Sequence, residues 1–206
     1  MIKNLLFDLG GVIIDIRRQN CIDSFTNLGM GRVAELLDDY VQRGPAKDIE
    51  NGTIDQTRFC QAIREYTGVH ATDEDICSAF ASFIIGAPVG RLQALRRLQQ
   101  HYRTLYLSNT NPIMWERAIN PQFSQEGLTI GDYFTGGGVK SYNAGVMKPD
   151  PTIFHILERQ TGIIPAETLF YDDSARNCEI AASLGYHTVH VAPGTEFYDY
   201  PIPQIQ

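Results

Sequence analysis

Three short apolar runs in this chain end in groups that can do chemistry. Leu5-Leu6-Phe7 leads into Asp8, Thr104 to Leu107 into Ser108-Asn109, and Thr168 to Tyr171 into the adjacent carboxylates Asp172 and Asp173. Lys148 stands before Pro149 at the entry to a further segment. Brought together, these residues supply three carboxylates, a hydroxyl, an amide and an ammonium. Hard oxygen ligands in that number suit Mg²⁺, which is held by one or two carboxylates, water and substrate phosphate. Mg²⁺ and a lysine would together neutralise a phosphate dianion that three aspartates would repel. Each group also has a plainer reading: Asp8 as a structural aspartate, Ser108-Asn109 as a turn pair, Lys148 as a solvated loop residue, and one of Asp172 and Asp173 as a helix cap.

The elements needed to assemble this set follow from local patterning. A short continuous apolar run ending at Gly10-Gly11 suits a strand buried on both faces of a parallel sheet. From Pro88 onward helix and strand alternate. Val89, Leu92, Leu95 and Leu98 mark a helix face. Residues 104–107 form a strand, and Asp132 to Lys140 a further strand broken by Gly136-Gly137-Gly138. Asp150 and Pro151 read as N-cap and N1 of a helix through Ile153, Phe154, Ile156 and Leu157. A strand over 168–171 precedes a helix through Ile180 and Leu184, with Gly185 just past its end, and Thr188 to Val191 is the last strand. Strands alternating with helices imply right-handed crossovers and a doubly wound parallel α/β sheet, and in such sheets sites form beyond the carboxyl ends of the strands.

Residues 18–86 differ from the rest. They hold polar segments with apolar residues at helical spacing, such as Val33, Leu36, Leu37 and Val41, then Ile54, Phe59, Ile63 and Tyr66. This stretch reads as a helical insertion, with turns at Gly44-Pro45 and Asn51-Gly52. The expected division is therefore a core of 1–17 and 87–206 around a helical cap of 18–86. The closing FYDYPIPQIQ segment has two prolines and no periodicity, which predicts a tail on the surface or partly disordered.

Composition narrows the function. The 206 residues carry a formal net charge of −7 and no long basic run, which argues against nucleic acid as a partner. No apolar run approaches membrane-spanning length. Asp8 interrupts the first apolar stretch, so it is not a secretory leader, and a cytoplasmic protein is expected. Cys21, Cys60, Cys77 and Cys178 form no CxxC pair and read as free, buried thiols. The five histidines, Trp115 and the Phe197, Tyr198, Tyr200 cluster read as structural or packing residues.

LLFDLGGVIID, LYLSNTN, MKPDPTIF and LFYDDSARN resemble, in order, the four motifs of haloacid dehalogenase superfamily hydrolases. The resemblance spans roughly residues 3 to 195, with the insertion where that superfamily carries its first type of cap. The subgroup it most resembles includes bacterial α-D-glucose-1-phosphate phosphatases. A Rossmann-like core is implied, with Mg²⁺-dependent hydrolysis of a small phosphorylated metabolite, such as glucose 1-phosphate, through an aspartyl-phosphate. By position, Asp8 would be the nucleophile, and Ser108 and Asn109 would bind phosphoryl oxygens. Lys148 would balance charge on both partners. Asp8, the Gly10 carbonyl, Asp172 and Asp173 would hold the metal.

One position departs from the superfamily pattern. Most of its phosphatases have a second aspartate two residues after the nucleophile as general acid and base, and here Gly10 stands there. Asp15, at the junction of core and cap, either replaces it or only holds the hinge. The alternatives are a metal-independent 2-haloacid dehalogenase and a non-catalytic relative that binds a phosphorylated ligand. The paired carboxylates Asp172-Asp173 favour the phosphatase over the first, and the intact set of Asp8, Lys148 and both late aspartates favours it over the second.

Overall fold

A computed structural model describes residues 1–37 and 42–203. Five strands form one sheet: β1 (Asn4–Phe7), β4 (Arg103–Ser108), β5 (Gly138–Lys140), β6 (Thr168–Asp172) and β7 (His187–His190). Their order is β5-β4-β1-β6-β7 and every neighbouring pair is parallel. The chain winds from β1 outward through β4 and β5, then crosses to β6 and β7 on the other side. The direction of winding reverses at β1, so a crevice opens beyond the carboxyl ends of β1, β4 and β6.

Alternation along each strand sends side chains to both faces. Leu5, Phe7, Leu169 and Tyr171 face one layer. Leu6, Leu105, Leu107 and Phe170 face the other, where α9 (Pro151–Thr161) and α10 (Ala175–Ser183) cover them with Ile153, Phe154, Leu157 and Ala181. Helix α9 starts as its sequence predicts: Asp150 is the N-cap, its carboxylate accepting the Thr152 amide at 2.8 Å, with Pro151 in the first turn.

The other layer holds α5 (Val89–Leu98), whose Leu92 and Leu95 are fully buried while Val89 is exposed. A strict three-residue spacing slips about 60° per step around a helix of 3.6 residues per turn, so Val89 has rotated out of the contact. The strand expected over 132–140 is only Gly138–Lys140. Residues Ile130–Tyr133 are a helical turn, α7, because Thr129 and Asp132 form a capping box. The tail departs further from expectation. Phe197 is fully buried and packs edge-on against Phe7 at 5.2 Å and Tyr171 at 6.2 Å, so the segment through Tyr200 docks on the sheet. Gln204 to Gln206 lie outside the described residues.

Between β1 and α5 the chain makes a compact loop and a helical excursion. Ile13 and Ile14 donate their amides to the Leu9 carbonyl and Gly11 donates to Ile14. A two-stranded antiparallel ribbon of β2 (Asp15–Ile16) and β3 (Ile84–Gly86) brackets the excursion. Within it lie α1 (Arg18–Asn27), α2 (Gly44–Glu50), α3 (Gln56–Thr67) and α4 (Asp73–Ala81). Val33 and Leu36 sit on a short 3-10 turn, Gly31–Leu36, and Val41 lies outside the described residues. Gly44-Pro45 opens α2 instead of making a separate turn, since proline suits a helix's first positions. The four thiols are free and buried. Among the described residues no helix is long and apolar enough to cross a membrane.

Candidate active site

The register that pairs Phe7 with Tyr106 and Tyr171 brings the three strand ends together. Asp8 extends the pairing by one residue, its amide donating to the Tyr171 carbonyl at 2.8 Å. Lys148, 4% exposed, reaches between the carboxylates: its Nζ lies 2.9 Å from Asp8 Oδ1 and 2.7 Å from Asp172 Oδ2. Asp8, Asp172 and Asp173 each offer an oxygen within 4.8 Å of the others. These groups border a cavity of about 270 Å³ lined by Asp8, Gly10, Ser108, Asn109, Lys148 and Asp173, and on the opposite wall by residues of the helical excursion.

The two late aspartates have different surroundings. Asp172 is fully buried; beyond Lys148, its Oδ1 accepts the Ser174 amide at 2.8 Å and the Asn177 amide group at 2.9 Å. It therefore orients the lysine and caps the start of α10 at once. Asp173 faces the cavity and lies directly against Gly11. Gly11 has φ +75°, and a Cβ there would overlap the Asp173 carboxylate, so this position needs glycine for both conformation and space. Gly10 is different: a Cβ would meet only Ile16 methyl carbons at 3.6 Å.

Ser108 is buried on the cavity wall, and among the described residues no hydrogen bond occupies its hydroxyl. Asn109 behaves otherwise than expected. Its Nδ2 donates to the Lys148 carbonyl at 2.9 Å and its Oδ1 accepts the Lys148 amide at 2.8 Å. Both ends of this amide hold the backbone of Lys148, whose bond to Pro149 is cis, while Asn109 still lines the cavity. Asp15 is not brought to the cavity at all. Arg91 Nη1 binds it at 2.8 Å, and the same guanidinium binds Glu196 at 2.6 and 3.1 Å. The tight loop after Asp8 turns Asp15 away into β2. The hinge reading of Asp15 fits this placement, and the general-acid reading does not.

Electrostatics are governed by burial. Desolvation lifts the Asp8 carboxyl to about 8; Lys148 opposes this, while Asp172 and Asp173 add to it. Asp173 rises to about 6, from burial and then from Asp172. For Lys148, burial would depress the ammonium, but Asp172 and Asp8 outweigh it and hold its pKa above the ordinary lysine range. Three carboxylates against one ammonium leave an excess of negative charge that a bound cation would relieve.

The cavity also exposes residues that sequence reasoning passed over. Arg176, on the first turn of α10, borders it and is solvent-exposed. Thr110 borders it with a buried Oγ1 that lacks a hydrogen-bond partner among the described residues. Gln42 and Glu50 border it from the helical excursion. Arg176 and Thr110 fall inside the motifs LFYDDSARN and LYLSNTN, which signalled them; nothing local signals the other two.

Comparison with known proteins gives concordant matches. The family model for haloacid dehalogenase-like hydrolases matches residues 2–185. A D-ribitol-5-phosphate phosphatase of Bacteroides thetaiotaomicron is 34% identical over 197 residues, 96% of this chain and 95% of that protein. The crystal structure of a haloacid dehalogenase family enzyme from Bacteroides thetaiotaomicron, in complex with magnesium and inorganic phosphate, superposes with a TM-score of 0.90 at 36% identity, covering 97% of this chain and 98% of that one. A predicted hydrolase of the same family from Porphyromonas gingivalis gives 0.88 at 32% identity, over 97% and 95%.

Proposed function

Because this chain belongs to the haloacid dehalogenase-like hydrolases, we propose that it hydrolyses the phosphate monoester of a small polyhydroxylated metabolite, with Asp8 as nucleophile and Mg²⁺ as cofactor. The observation that carries this is the buried Lys148 ammonium bridging Asp8 and Asp172 at the floor of a cavity that Ser108 and Asp173 also line. The match to a D-ribitol-5-phosphate phosphatase favours a sugar or polyol phosphate as substrate, and a pentitol 5-phosphate ahead of glucose 1-phosphate.

The donor set fits a hard divalent cation: Asp8, Asp173 and the Gly10 carbonyl would hold it, with Asp172 in reach but engaged by Lys148, Ser174 and Asn177. Bound there, Mg²⁺ would supply the positive charge that lets a phosphate dianion approach ionised Asp8. Lys148 neutralises the attacked phosphoryl group as a compact charge, and Ser108 Oγ donates to one of its oxygens. An Asp8 oxygen bonds to phosphorus as the ester P–O bond breaks. Water then attacks the phosphorus, releasing orthophosphate and restoring the carboxylate. Residues 18–86 serve as the cap that closes over the leaving group, and 1–17 with 87–206 as the catalytic core.

Phosphate release from a panel of polyol, sugar and aryl phosphates, with Mg²⁺ and with excess chelator, tests this reading. Turnover should require Mg²⁺, and Asp8→Asn should abolish it without unfolding the protein, since an amide cannot form the acyl phosphate. Turnover that survives either the chelator or Asp8→Asn overturns the mechanism.

A further inference from the structure

Glu50 ends α2 on the opposite wall of the cavity that Asp8, Ser108 and Lys148 line. It is only 8% exposed, and no hydrogen bond or ion pair satisfies its carboxylate among the described residues. Buried carboxylates in folded proteins are almost always paired, so an unpaired one facing a cavity points to a partner that arrives with the ligand. Burial alone raises its carboxyl to about 8, with no neighbouring charge contributing.

Its position is fixed by the turn that follows. Gly52 has φ +68°, and a Cβ there would run into the Tyr142 carbonyl of the core. The absence of a side chain lets this turn close onto the core, and Glu50 is thereby held over the cavity. The same cavity is lined by the apolar side chains of Ile16, Phe83, Ile84 and Met114. A bound ester would lay its carbon skeleton against these and bring its hydroxyls within the cavity that Glu50 lines.

We propose that Glu50 is a specificity-determining residue that accepts hydrogen bonds from hydroxyls of the leaving group. The proposal rests on the phosphatase reading above for the placement of the phosphate at Asp8 and Lys148. The carboxyl oxygens can accept from neighbouring hydroxyls of a polyol, whereas an alkyl chain of equal length leaves the carboxyl group buried and unpaired. Sites built to bind a hydroxyl reject the analogue that lacks it far more strongly than apolar pockets discriminate by size.

The test separates binding from turnover. A pentitol 5-phosphate, a hexose 1-phosphate and n-pentyl phosphate are titrated with Mg²⁺ into Asp8→Asn, and into the same protein carrying Glu50→Leu or Glu50→Gln. At least one hydroxylated ester should bind the parent more tightly than pentyl phosphate. Glu50→Leu should remove roughly 10- to 100-fold of that preference, as expected when a buried polar group loses its hydrogen-bond partner. Glu50→Gln, which keeps one acceptor oxygen, should retain part of it. A preference absent from the parent, untouched by Glu50→Leu, or lost through equal weakening of all three esters overturns the proposal. If the wild-type chain cleaves none of these esters while the Glu50-dependent preference persists, the phosphatase reading fails and hydroxyl recognition stands.

Discussion

Adjacent glycines at the site have opposite tolerances. At Gly11 a methyl group would meet the Asp173 carboxylate in a backbone conformation that L-residues resist. Gly11→Ala should weaken Mg²⁺ binding and lower stability by about 1–2 kcal/mol, from the backbone conformation alone; an unchanged Mg²⁺ affinity would show that Asp173 is not a ligand. At Gly10 there is ordinary van der Waals room. With no acid at this position and Asp15 held by Arg91, departure of the leaving group lacks a proton donor from the first loop. The rate should then depend steeply on leaving-group acidity across a series of aryl and alkyl phosphates. Gly10→Asp should flatten that dependence, raising alkyl ester turnover toward the factor of about 10² to 10⁴ typical of general acid help. A dependence already flat in the wild type would mean that another residue donates the proton.

Among elements, the closing segment is more than a tail. Phe197 fills the layer above β1 and β6, and Glu196 beside it binds Arg91, which also holds Asp15 at the start of the β2–β3 ribbon. One buried guanidinium thus joins α5, the ribbon and the C-terminal segment. Phe197→Ala should destabilise the protein by about 3–5 kcal/mol, as for other fully buried aromatic truncations. Chemical denaturation would measure it, and a loss below about 1 kcal/mol would mean that the segment is dispensable to the core.

At the scale of the whole molecule, desolvation pushes three carboxyls up, to about 8 for buried Asp8 and Glu50 and to about 6 for half-buried Asp173, against ordinary values of 3.8 for aspartate and 4.5 for glutamate. Between those limits the folded state keeps protons that the unfolded chain has released. Stability of the metal-free protein should therefore fall as pH rises from about 5 to 8. Cation binding requires the ionised carboxylates, so Mg²⁺ affinity should rise over the same interval, with protons released on binding. Melting temperatures in chelator and in saturating Mg²⁺ should diverge with pH. Parallel curves would show that Asp8 and Asp173 are already ionised without the metal.

The parallel sheet, the strand-end residues and the start of α9 were legible in the chain because each rests on local physics. An apolar run ending in polar groups, a proline behind an N-cap and a glycine past a helix end act within a few residues. The convergence of Asp8, Ser108, Lys148 and the late aspartates followed from sheet topology, which alternation of elements prescribes. What the chain could not display was where long-range partners lie. Asp15 sits seven residues after Asp8, yet it is turned away by backbone bonds within the loop and held by Arg91, which is distant in sequence. Asn109 reads as a ligand for phosphate, and nothing local shows that its amide also clamps the Lys148 backbone. Phe197 reads as a packing residue, but its segment has no periodicity to say against what, and only the space above Phe7 and Tyr171 decides that. Glu50 reads as one more polar residue at a helix end; its burial against the cavity is a meeting of distant segments that no local pattern encodes.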